Sequence, residues 1–83
     1  MEIINRLGMH ARPAMQFVET AQRFACTVAV YKNKEKINGK SIMEMMLLAA
    51  MPGTVLRMEA DGEDAEACLD ALEKLVQEKF HEE

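Results

Sequence analysis

Residues 26–38 read CTVAVYKNKEKIN, and this stretch decides the fold. In its first six residues, 26–31, Val28 and Val30 alternate with Thr27 and Ala29, the period-two pattern of a half-buried strand. The polar KNKEK that follows is expected to turn the chain. Lys36-Ile37-Asn38 then forms a short strand returning along the first.

Working outward, residues 12–24 are predicted to be a helix. Ala14, Phe17, Val18, Ala21 and Phe24 recur at i, i+3, i+4 and i+7, while Gln16, Glu19, Thr20, Gln22 and Arg23 take the opposite, polar face. Pro13 suits the first helical turn, where a missing N–H removes no intrahelical bond. Downstream, Ser41 opens a second helix, SIMEMMLLAA (41–50), closed by Pro52 and Gly53. The spacing Ser41-x-x-Glu44 is that of a capping box. TVLRMEA (54–60) is a strand with Leu56 and Met58 on one face and Arg57 and Glu59 on the other. A last helix starts near Asp61 to Asp64 and carries Ala65, Cys68, Leu69, Leu72, Leu75, Val76 and Phe80 at helical period. Its early acids suit the positive end of the helix dipole. Glu2 to Asn5 is a further short strand.

The order β-α-β-β-α-β-α makes an α+β fold in two layers, with helices covering one face of the sheet and water the other. Residues 1–83 are read as one domain. Its 49% hydrophobic residues can supply a small core. No apolar run reaches the ~20 residues of a membrane span, and MEIINRLG lacks the basic and apolar regions of a secretory signal. Cys26 and Cys68 match no metal or C-x-x-C spacing, so both are read as core fillers in a reduced, cytoplasmic protein. No metal site and no cofactor are indicated. A net charge of −4 and the lack of tryptophan argue against a nucleic-acid surface.

The chemistry concentrates in GMHARPAMQF (8–17). His10 stands two or three residues before the first helix, where unpaired N–H groups and the helix dipole favour an anion. A phosphoryl group on its ring would meet those amides and the planar fork of Arg12. Gly8 would allow a tight turn. Imidazole is largely neutral near pH 7 and therefore nucleophilic. Spacing alone leaves a second reading open, in which His10 is a capping or surface residue. His81 lies in a charged tail and is read as solvated.

NRLGMHARPA, then INGKSIMEMMLLAA, then EADGEDAEACLDAL, in that order, resemble the HPr family of histidine-containing phosphocarriers of the phosphoenolpyruvate-dependent sugar phosphotransferase system. The resemblance spans essentially the whole chain. It implies an open-faced β-sandwich: a four-stranded antiparallel sheet covered on one face by three helices. It implies that His10 accepts a phosphoryl group on Nδ1 from phosphorylated enzyme I and passes it to IIA domains of sugar permeases. Arg12 matches the family's phosphate-binding arginine, and the backbone amides of Ala11 and Arg12 match its phosphate cradle. Such a protein is a carrier and not a free-standing enzyme, and a monomer is expected of a hub that docks to successive larger partners.

Ser41 falls on the family's second phosphorylation site, whose partner is an HPr kinase/phosphorylase. The capping box accounts for the same serine without any kinase, and Glu44 departs from the small residue common there in Gram-positive members. Ile42, Met43 and Met46 fall on the family's docking surface, with Met45 and Leu48 expected to face the core; thioethers suit a surface that fits several partners. The competing expectation packs Met43 and Met46 against the sheet edge or Met51. Glu19 and Gln22 stand where many relatives carry lysines, leaving Arg12, Arg23 and Lys40 as the basic residues for acidic partners. A regulatory paralogue, acting through the phosphorylation state of His10 or Ser41 in carbon or nitrogen control, is the alternative function.

Overall fold

The computed structural model describes residue 2 and residues 11–48 and 53–78. Helix α1 (Ala11–Gln22) leads into strand β1 (Thr27–Lys32), strand β2 (Glu35–Asn38), helix α2 (Ile42–Leu47), strand β3 (Arg57–Asp61) and helix α3 (Ala65–Gln77). The antiparallel sheet has the order β2-β1-β3. The fold is thus α+β with three helices and three described strands. Of the expected N-terminal strand, Glu2 pairs antiparallel with Val55; residues 3–5 lie outside the described residues, as do Phe80 and His81.

The turn in KNKEK is tighter than its five polar residues suggest. Lys32 pairs with Glu35, leaving only Asn33 and Lys34 between the strands. Asn33 takes φ 56°, a left-handed conformation that asparagine tolerates better than most residues. The polar side chains of Glu35 and Lys36 are compatible with strand because β2 is an edge.

Period-two alternation sends Val28 and Val30 inward, opposite Ala60 and Met58 of β3. On the other face Tyr31 donates its hydroxyl hydrogen to Glu59 Oε1 at 3.0 Å, and the Arg57 guanidinium lies 4.2 Å from the Tyr31 ring centre. The inner face meets the apolar stripes of the helices. Ala14, Phe17, Val18 and Ala21 of α1 join Met45 of α2 and Cys68, Leu72, Leu75 and Val76 of α3 in one core. Phe24 packs against that core from beyond the helix, because α1 ends at Gln22.

Thr20 departs from the expected polar face: it is buried, and its Oγ1 accepts a hydrogen bond from Arg23 at 3.2 Å. The stripe is wide enough to take in a small residue whose one polar group is satisfied. Gly39 is fixed by close approach, since a Cβ there would come within 2.6 Å of Val28 Cγ1.

Asp64 joins two distant segments. It precedes α3 but makes no side-chain cap on that helix. Instead its carboxylate accepts the backbone N–H of Ala25 at 2.7 Å and of Cys26 at 2.9 Å. The Ala25 bond, reinforced by Cys26, holds the Asp64 carboxyl below its ordinary pKa. A depressed folded pKa stabilises the fold above the unfolded value, about 4, and that contribution is lost as pH falls through the lower folded value. Urea midpoints measured against pH should therefore drop more steeply below about pH 4 in wild type than in Asp64→Asn. Parallel curves would mean that the carboxylate charge contributes nothing to the tether.

Candidate functional site

The helix that follows His10 begins at Ala11, one residue earlier than the spacing predicts, so His10 adjoins it directly in sequence rather than two or three residues away. His10 itself lies outside the described residues. Pro13 is fully buried in the first turn, where it supplies no N–H and fixes a helical φ. The N–H groups of the first three helical residues have no intrahelical acceptor; with proline at the third, Ala11 and Arg12 hold the donors. That turn carries no acidic side chain to offset the positive end of the dipole. Arg12 is exposed on the same turn. An exposed guanidinium beside the N–H groups of a helix's first turn can hold an anion with both point charge and directed hydrogen bonds.

Two other basic residues have structural employment. Lys40 Nζ donates to the Phe24 carbonyl at 2.6 Å, while the Lys40 carbonyl accepts from Gln22 Nε2 at 3.3 Å. Lys40 thereby holds the chain leaving α1, whose own last turn has no basic residue. Arg23 bonds Thr20. Of the three cations expected to meet partners, Arg12 is the one placed on the first turn of α1.

Ser41 caps α2: its Oγ accepts the Glu44 N–H at 3.2 Å. The reciprocal half of the capping box is redirected. Glu44 Oε1 accepts the N–H of Asn38, at 3.1 Å, rather than that of Ser41, which donates to the Asn38 carbonyl. One carboxylate therefore serves both the first turn of α2 and the end of the edge strand β2, a use that the four-residue spacing does not disclose.

The helix places Met45 and Leu48 in the core and leaves Ile42, Met43 and Met46 exposed, as expected. Met43 and Leu47 are each 73% exposed. Leu47 thus extends the apolar patch, and the i, i+4 spacing from Met43 could have revealed it. Met15, on α1, is also substantially exposed, and α1 packs against α2. Exposed apolar side chains of α2 and α1 thus lie on two elements packed against each other.

Among the described residues, no group of three or more His, Cys, Asp or Glu could hold a metal ion, and no helix is long and apolar enough to cross a membrane.

Comparison with known proteins bears on this site. The family model for the PTS HPr component phosphorylation site matches residues 1–78. The phosphocarrier protein HPr of Neisseria meningitidis serogroup A is 48% identical over 82 residues, covering 99% of this chain and 92% of its own. The crystal structure of HPr-C-His from Thermoanaerobacter tengcongensis matches with a TM-score of 0.96 and 44% identity, covering 100% of this chain and 93% of that one. The structure of an HPr dimer from the same organism matches with a TM-score of 0.82 and 44% identity, covering 96% and 92%.

Proposed function

The chain belongs to the HPr family of the phosphotransferase system, and from that membership we propose that it carries phosphoryl groups on His10 through the cytoplasm. His10 Nδ1 accepts the group from phosphorylated enzyme I and later gives it to the IIA domain of a sugar permease. The bond from phosphorus to the donor breaks as the bond to Nδ1 forms, and the reverse exchange returns a neutral imidazole. The protein is thus a carrier, consumed and regenerated at each step, and not a catalyst of its own. A monomer suits the role, because one acceptor must face each partner in turn.

The observation that carries this reading is the acid-free first turn of α1, which starts at the residue after His10 and presents Arg12. The N–H groups of Ala11 and Arg12 and the Arg12 guanidinium hold the phosphoryl oxygens. Their stabilisation is modest by necessity, since a group held too tightly is not passed on. Ser41 stands outside this path as the cap of α2, and a phosphate on it would meet the nearby Glu44 carboxylate.

The test is the intact mass of the wild-type protein after incubation with phosphoenolpyruvate, magnesium and its cognate enzyme I. Gain of one acid-labile phosphoryl group is expected; no gain with a competent enzyme I overturns the assignment.

Docking is assigned to Ile42, Met43 and Met46. Met43→Asp adds an acid to the first turn of α2, where the dipole tolerates it, so folding should be preserved. Removing an apolar anchor from an interface commonly costs about 1–2 kcal/mol. Met43→Asp is therefore expected to raise the KM for phosphorylation by enzyme I by roughly tenfold with kcat little changed. An unchanged KM would remove Met43 from the interface.

A further inference from the structure

Lys40 links the two helices that carry the exposed apolar surface, and its own backbone is firmly placed. Its N–H donates to Asn38 Oδ1 at 2.9 Å. On either side, the Gly39 N–H donates to the Val28 carbonyl at 2.8 Å and the Ser41 N–H to the Asn38 carbonyl at 3.1 Å. From that base, the part-buried Lys40 ammonium reaches the Phe24 carbonyl at 2.6 Å, just beyond the end of α1. Gln22, the last residue of α1, returns a bond from Nε2 to the Lys40 carbonyl at 3.3 Å. Two opposed hydrogen bonds thus join the end of α1 to the residue before the cap of α2. The ammonium bond is charge-assisted and short, which makes it the stronger of the two.

Met15 of the apolar surface lies on α1, and Ile42, Met43, Met46 and Leu47 lie on α2. α1 also begins at the residue after His10 and presents Arg12. A helix of six residues is marginal by itself, so the placement of α2 depends on what ties it down. Burial of Met45 in the core is one tie; the Lys40 bonds are another, directed at α1.

We propose that Lys40 is a positioning residue for phosphoryl transfer, holding the docking patch of α2 in register with the acceptor end of α1. The consequence for transfer rests on the carrier role of His10; the tie between the helices does not. Lys40 acts by ordering the two halves of one surface beforehand, so that a partner need not order them on binding. Its loss therefore falls on KM and spares kcat.

Lys40→Met keeps the apolar stem, removes the ammonium and should stay folded. In the free variant, the methionine methyl NMR resonances of Met15, Met43 and Met46 should shift from their wild-type positions. The KM for phosphorylation by enzyme I should rise roughly three- to tenfold, the size of coupling that a packed network carries, with kcat unchanged. Lys40→Arg restores a charged donor and should return both readouts towards wild type. Gln22→Ala, at an exposed position, removes the weaker bond and should move the same resonances by less. An unchanged KM in folded Lys40→Met would overturn the proposal, leaving Lys40 a cap on the chain and nothing more. So would a raised KM with unmoved methyl resonances, which would put the ammonium in direct contact with the partner. Failure of the carrier role would show separately, in a wild-type protein that a competent enzyme I leaves unphosphorylated; the methyl resonances would then decide by themselves whether Lys40 sets the two helices.

Discussion

His10→Ala is expected to abolish phosphoryl acceptance altogether, with the fold retained. The packing that holds α1 rests on Ala14, Phe17, Val18 and Ala21, one or more turns beyond the substitution. Pro13 still fixes the first turn. The melting temperature should therefore move by no more than a few degrees, while the acid-labile mass gain disappears. Arg12→Ala provides a graded companion: losing a hydrogen bond to a charged group costs about 1.5–3 kcal/mol, so transfer should slow by roughly 10- to 100-fold. A His10→Ala protein that still gained an acid-labile phosphoryl group would place the acceptor elsewhere. An Arg12→Ala protein that transferred at the wild-type rate would leave the anion to the backbone amides alone.

Most of the architecture is legible in the sequence because burial follows period. Val28 and Val30 declare the inner face of β1, and the i, i+3, i+4 stripe declares α1, since each must present one face to a common core. The same logic finds the exposed apolar face of α2: it has one polar side chain in IMEMML, and a helix on a sheet cannot bury its whole circumference. Element ends are less legible. KNKEK is polar throughout, and nothing in its composition shows that Lys32, Glu35 and Lys36 pair while Asn33 turns. Edge position makes those polar residues acceptable strand formers, and edge position is a property of the assembled sheet.

Long-range polar roles are the least legible. Asp64 reads as a helix-start acid, Lys40 as a surface cation and Glu44 as half of a capping box. Each proves to bind a backbone group that lies far off in sequence or outside its own motif: Ala25 and Cys26 for Asp64, Phe24 for Lys40, Asn38 for Glu44. Hydrophobic burial has a period and so leaves a trace in one dimension. A side chain satisfying a distant amide has none. The site itself divides along this line. The helix start beside His10 follows from Pro13 and the stripe, whereas the assignment of a phosphoryl group to it draws on the family resemblance.

Phe17→Ala is expected to produce the largest loss of stability in the domain. Phe17 is 0% exposed and heads the fully buried side chains by volume. Truncating such a side chain removes its burial and leaves a cavity, at a cost of about 3–5 kcal/mol. A chain of 83 residues has a total stability of only about 4–12 kcal/mol, at roughly 0.05–0.15 kcal/mol per residue. The melting temperature should fall by at least about 12 °C, and near physiological temperature a measurable fraction should be unfolded. The functional consequence distinguishes this variant from His10→Ala. Phe17 lies on the helix whose first turn follows His10, so phosphoryl acceptance should decline in step with the unfolded fraction and recover on cooling. The loss in His10→Ala should persist at every temperature. Far-UV circular dichroism and the phosphorylation mass assay, run over one temperature series, provide the comparison. Coincident curves would show that the acceptor works only on a folded α1. Phosphorylation that outlasts the helix signal would mean that the segment around His10 is recognised without it.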